Sequence, residues 1–244
     1  MKSLKNKKIL VVGDIHYPFN DPYVTEQLME YLHKMGGYWD TLVHLGDHYD
    51  FHAISTHEKD PTLRVSVADE IAGGSALLAE IVNEGRFKES YFIAGNHEYR
   101  WDSYIKKNAP ELLGLSGLDL EGRLSLPKGM RFIYSGQRES WLECKEVVFA
   151  HANIARSQSG ATARACYAKF GKSVIQGHAH RAGLYYIRRP SGQIDIAAEN
   201  PCMADLNPSY TLHPNWMQGL TNVEVDKYGQ VSMTQTIIQK GMSF

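Results

Sequence analysis

The sequence predicts an α/β protein whose polar groups gather at the ends of strands, and three observations carry that reading. Short apolar runs alternate with amphipathic helical segments over residues 9–94 in the order β-α-β-α-β. Four apolar runs, within residues 9–16, 41–50, 91–98 and 173–180, stop at a glycine and are followed by Asp, Asn or His. Residues 183–188, 193–197, 221–225 and 231–239 alternate in the manner of antiparallel strands.

Residues 9–12, between a lysine cluster and Gly13, read as a buried strand. Asp21-Pro22 supplies an N-cap followed by proline at the first helical position. Val24, Leu28, Leu32 and Met35 then share one helical face, and Gly36-Gly37 ends the helix. Residues 41–45 form the second strand, closing on Gly46-Asp47, and the polar stretch 48–62 is a loop at its end. Ser66 and Asp69 have capping-box spacing and open a helix through about Asn83. Gly73-Gly74 inside it imply close packing on the sheet. Residues 91–94 are the third strand, so right-handed crossovers and a parallel sheet with helices on its faces follow.

Residues 99–107 are helical and stop before Pro110, and the leucine- and glycine-rich stretch 111–129 reads as loop and short helix. Residues 131–134 and 141–150 read as strands, the second ending at His151. Residues 159–170 are expected to form a helix capped by Ser159 and stopped by Gly171, followed by a strand at 173–176. The four alternating segments after His180 place the tail in a second sheet layer, so residues 1–244 are expected to form one domain without a separate cap.

A chain of 244 residues can bury a sizeable core, and a net charge of −1 provides no global field toward nucleic acid or anionic membrane. Three widely spaced cysteines, Cys144, Cys166 and Cys202, suit reduced thiols in the cytoplasm better than a disulfide framework or a structural zinc motif. No apolar run approaches membrane-spanning length, so no membrane association is expected, and no obligate protein partner.

The strand-end groups are Asp14, His16, Asp47, Asn96, His97, His151, His178 and His180. Carboxylate, imidazole and amide oxygen suit borderline divalent metals such as Mn, Fe, Zn or Ni, whereas calcium wants oxygen throughout. The lack of thiolate argues against a structural zinc site. The set is too large for one tetrahedral ion and suits two ions sharing a carboxylate. Two such ions, roughly 3.5–4 Å apart, can generate hydroxide at neutral pH and clamp both oxygens of a phosphoryl displacement.

The order Asp-x-His, Gly-Asp-x-x-Asp, Gly-Asn-His-Glu, His, Gly-His-x-His over residues 9–180 resembles the calcineurin-like metallophosphoesterase superfamily. The resemblance implies a four-layer α/β/β/α sandwich of two mixed sheets flanked by helices. It further implies two divalent transition-metal ions, manganese first. Asp14, His16 and His180 would hold one, Asn96, His151 and His178 the other, with Asp47 bridging. The implied nucleophile is a metal-bridging hydroxide. His97 matches the histidine that contacts the phosphoryl group or protonates the leaving oxygen, and Asp50 the carboxylate that orients it. Arg181, next to His180, could reach a phosphate or form a surface ion pair.

Two departures narrow the substrate. The Ser/Thr phosphatase branch carries arginines where this chain has Phe51 and Ala94. A phosphodiester, nucleotide or nucleic acid is therefore favoured over a phosphoprotein. A nuclease resembling the double-strand-break repair branch, a phosphomonoesterase or protein phosphatase, and a non-catalytic scaffold are the competing readings. The segment from Pro201 to Gly219, with Ser159 to Ala163, is similar to a group of members common in phages and prophages, which would place the protein in a host cytoplasm.

Among the remaining residues, His48, His52 and His57 read as a solvated loop, His44 as a satisfied core or interface histidine, and His33 as helix surface. Arg100 and Trp101 could line the pocket or pack. The Asn215-Trp216 region is expected to fold back over the site or core, and Trp141 and Tyr185-Tyr186 to pack on strands.

Overall fold

The computed structural model describes residues 2–59, 64–207 and 214–242. The end of the loop expected at 48–62 and part of the segment from Pro201 to Gly219 lie outside them.

The first sheet is built on strands β1 (Lys7–Val12), β2 (Thr41–His44), β3 (Glu89–Ile93) and β4 (Arg131–Ile133), all parallel. Helices α1 (Pro22–Met35) and α2 (Val67–Gly85) make the first two crossovers. Asp21 caps α1 by accepting from Tyr23 N at 2.9 Å, and Ser66 and Asp69 form the reciprocal capping box of α2. Gly73 and Gly74 do pack closely, but on rings carried by loops. A Cβ on Gly73 would strike Tyr17, and one on Gly74 would lie 2.6 Å from the Tyr49 ring.

After α3 (Tyr99–Asn108), the short α4 (Leu120–Arg123) and β4, the chain enters a second sheet. The stretch expected as one strand over 141–150 is a hairpin of β5 (Ser140–Glu143) and β6 (Val148–His151), because Cys144 turns back and its N–H bonds Val147 O at 3.1 Å. Helix α5 (Ala161–Phe170) is not capped by Ser159, whose hydroxyl donates to Ala182 O; Glu199 accepts from Thr162 N and Ala163 N at 2.7 and 3.1 Å. Strands β7 (Val174–Gln176), β8 (Gly183–Arg188) and β9 (Ile194–Glu199) complete a sheet ordered β5-β6-β7-β9-β8.

The tail does not all join this second layer. The hairpin β10 (Gly219–Val225) and β11 (Val231–Ile237) returns to the first sheet, giving the order β11-β10-β1-β2-β3-β4. Register along β1 shows why: Ile9 and Val11 bury one face against Val223 and Val225, together with Phe149 and Ile175 of the second sheet. Leu10 and Val12 point the other way into Leu28, Leu32 and Ile81 of the helices. The outer face of the second sheet is covered by Ala163 and Cys166 of α5. The result is two mixed sheets face to face with helices outside both, as the resemblance implied.

Trp141, Tyr185 and Tyr186 are exposed, Tyr186 at 60%, and Trp141 packs its ring 5.8 Å from that of Phe170 on α5. All three cysteines are buried and free. Among the described residues, no helix is long and apolar enough to cross a membrane.

Candidate metal centre

Parallel strands β1, β2, β3, β6 and β7 all end toward one point, the position at which open α/β sheets bind ligands. Their ends supply Asp14 and His16, Asp47 and Asp50, Asn96 and His97, His151, and His178 and His180. Five of these, Asp14, His16, Asp47, His178 and His180, have φ between 48° and 78°, a left-handed conformation that side chains seldom adopt. Such strain concentrated at one spot marks a built site.

Asp47 lies between two donor groups. On one side Asp14, His16 and His180 present ligand atoms all within 4.8 Å of one another, and on the other Asp47, His151 and His178 do the same. His16 Nε2 stands 3.8 Å and His151 Nε2 3.3 Å from the same oxygen, Asp47 Oδ2. Asn96 Oδ1 is 3.0 Å from His151 Nε2, and His180 Nε2 is 3.4 Å from Asp14 Oδ1. Packing at the strand ends leaves no room for a side chain: a Cβ on Gly95 would sit 2.7 Å from His151 Cε1 and overlap the Asp47 carboxylate.

Tautomers follow from the hydrogen bonds. His151 Nδ1 is 2.6 Å from Leu45 O, an acceptor only, so Nδ1 carries a proton and Nε2 is the nitrogen turned to the centre. Asp50 Oδ1 lies 3.1 Å from His16 Nδ1 and 3.0 Å from His97 Nδ1, holding both rings the same way round. His16 Nε2 then faces His180 Nε2 at 3.1 Å, while buried His180 Nδ1 has no partner among the described residues. Converging imidazole lone pairs, carboxylates and an amide oxygen without thiolate fit divalent transition metals.

Charge states reflect the same crowding. Burial opposes protonation of His151, but Asp47 and Asp14 raise its pKa to about 10. Burial likewise opposes charge on His97, yet Asp47 and the Asp50 hydrogen bond shift its pKa upward. Against the cost of burial, His16 and His97 hold the Asp50 carboxyl well below the usual range.

Two contributors carried weaker signals. Glu98, the last residue of Gly-Asn-His-Glu, is fully buried; its Oε2 accepts from Gly95 N and Asp47 N and its Oε1 from His48 N and Tyr49 N. Burial and the Asp47 charge push its pKa to about 7, while the backbone donors favour the ionised form. Arg100 lines the site: Nη1 donates to Asp50 O at 2.7 Å and Nη2 lies 3.1 Å from His97 Nε2.

Other residues sort differently. Arg181 Nε donates to Asn215 Oδ1 at 2.6 Å and Nη1 to Ala179 O, turning the side chain toward the tail. The tail does fold over the site, with the Trp216 ring 4.3 Å from that of His180. His48 is not solvated; it is buried, bonded to Gly74 O at 2.7 Å and to His44 at 3.0 Å. His44 stacks on Phe92, and Trp101 packs beside Phe51.

No curated protein matches the sequence significantly. Among solved structures, a hypothetical protein of Pyrococcus horikoshii OT3 superposes with a TM-score of 0.47 at 12% identity, covering 96% of this chain and 89% of that one. The sequence profile of the calcineurin-like phosphoesterases matches residues 7–182, every candidate metal donor included. The chain belongs to the calcineurin-like phosphoesterase family of metal-dependent phosphoric ester hydrolases.

Proposed function

We propose that the protein is a dinuclear phosphoesterase acting on a phosphodiester or nucleotide-type substrate. The observation that carries this is Asp47 Oδ2, which stands 3.8 Å from His16 Nε2 and 3.3 Å from His151 Nε2, one in each donor group, with His97 Nε2 3.9 Å from the same oxygen. Asp14, His16 and His180 would hold one ion and Asn96, His151 and His178 the other, Asp47 serving both. When bound, two divalent ions supply an activated water and neutralise the phosphoryl oxygens.

The chain's own residues supply the proton and the orientation. Asp50 keeps Nδ1–H of His97 pointed away, so that Nε2 faces the leaving oxygen and can deliver a proton to it. In the free arrangement Arg100 Nη2 donates to that nitrogen. Protonating Nε2 makes the guanidinium turn off it, and a bound phosphoryl oxygen is a suitable new acceptor.

A phosphodiester is favoured because Phe51 and Ala94 are fully buried and place no cation where the phosphoprotein branch grips phosphate. Free buried cysteines support a reducing cytoplasm, and the likeness of the tail to phage-borne members extends this to a host cell. Manganese is the first metal to test. Protein loaded in turn with Mn, Ni, Zn and Fe should hydrolyse chromogenic diesters faster than monoesters; no hydrolysis with any of them would contradict the proposal.

A further inference from the structure

Helix α3 begins directly after the Asn96-His97 pair, yet none of its residues is fully buried. Tyr99, Arg100, Ser103, Tyr104 and Lys107 fall on one of its faces and line a cleft of about 480 Å³ that reaches Asn96. Lys59 and Arg138 close the other walls, so four cations surround the cleft and, among the described residues, no carboxylate lines it. Arg100 is committed to Asp50 and His97 and Lys59 donates to Ala53 O, but the side chains of Lys107 and Arg138 have no ion-pair or hydrogen-bond partner among the described residues. Tyr104 is 46% exposed.

This is a local reversal of charge in a chain whose net charge is −1. Unpaired cations beside a metal centre call for an anion larger than one phosphate. Two tyrosines among them offer ring faces, and cations interleaved with aromatic rings are what single-stranded nucleic acid binds: charge tracks the backbone and rings stack on bases. The size is that of a small-ligand pocket, not of a duplex-wide basic stripe.

We propose that this cleft binds the single-stranded nucleic-acid segment flanking the scissile phosphodiester, Lys107 and Arg138 meeting its phosphates and Tyr104 stacking on a base. The assignment rests on the phosphoesterase reading but is tested apart from it, by binding without catalysis. Fluorescence anisotropy with a short labelled oligothymidine, in excess chelator, should show saturable binding that weakens with salt. K107A/R138A should lower the slope of log affinity on log salt by about 1.4, since each single-strand phosphate contact contributes about 0.7. Y104A should weaken binding by about tenfold, the loss expected for one stacked base. K227A, in the turn between β10 and β11, should bind as wild type. Wild-type protein that hydrolyses a chromogenic diester but fails to bind the oligonucleotide would overturn the cleft assignment and leave the phosphoesterase reading standing. Competition by inorganic phosphate as effective as unlabelled oligonucleotide at equal phosphate, or tighter binding of a phosphopeptide, would overturn it too.

Discussion

Glu98 fixes Asp47 from behind: its Oε2 accepts the Asp47 N–H at 2.8 Å and the Gly95 N–H at 2.7 Å. One carboxylate thereby ties the end of β2 to the end of β3, and its other oxygen gathers His48 N and Tyr49 N. The position of Asp47 is thus set by backbone bonds to Glu98.

E98Q keeps one acceptor and turns an NH2 group toward backbone donors. Losing two bonds to a charged acceptor in a buried site should cost about 3 kcal/mol. Urea unfolding of the metal-free protein reads this directly; a loss below about 1 kcal/mol would mean that the site does not depend on the clamp.

Asp50 holds two imidazoles by their Nδ1 atoms. D50N removes the charge and can accept from only one of them well. kcat on a chromogenic diester should fall on the order of 10–100-fold, as for other groups that orient a ligand or catalytic histidine, with KM little changed. An unchanged kcat would show that the Asp50 carboxylate is not needed to orient His97, whose Nδ1 also lies 3.0 Å from Asp50 O.

Gly95 tolerates no side chain, since its Cβ would meet His151 Cε1 at 2.7 Å. G95A should separate the Asp47 and His151 donors and destabilise the fold by about 1–3 kcal/mol. Metal titration should show at least about tenfold weaker binding of the second ion; wild-type affinity would place that ion elsewhere.

Glu70 on α2 makes the pH dependence of stability testable away from the metal donors. Its Oε1 accepts from His52 N at 2.9 Å, and Oε2 has no partner among the described residues. Burial and then the Asp50 charge push its pKa from 4.5 to about 7. Between those values the folded chain keeps a proton that the unfolded chain has released, so this contribution to stability falls as pH rises and is flat above about 7. E70Q should flatten that slope, its stability relative to wild type rising across the window on the order of 2 kcal/mol. A wild-type slope in E70Q would assign the dependence to other groups.

Much of this was legible in the sequence because strand-end motifs combine a strong pattern with a simple geometry. An apolar run, a glycine and a donor placed Asp14, Asp47, Asn96 and His178 at one end of the sheets. What escaped depends on distant packing. Trp141 to His151 has an apolar stretch on each side of Glu143, Lys145 and Glu146, and only the pairing of β6 with β5 and β7 shows that the chain folds back there. The β10–β11 hairpin alternates equally well in either sheet; Val223 and Val225 chose the first by packing beside Ile9 and Val11. His48 reads as solvated until its partners Gly74 and His44, one of them on another element, are known. Glu98 was in view inside its motif, but its use as a four-fold backbone acceptor needs the β2 loop brought beside it.

Asp47 is proposed to serve two ions at once. Elemental analysis of the purified protein after metal loading and gel filtration tests it most directly, with wild type and D47N compared. Two divalent ions per chain in wild type, falling to one or fewer in D47N together with loss of diester hydrolysis, is the result expected. One ion or none in wild type, or two retained in D47N, would contradict the account.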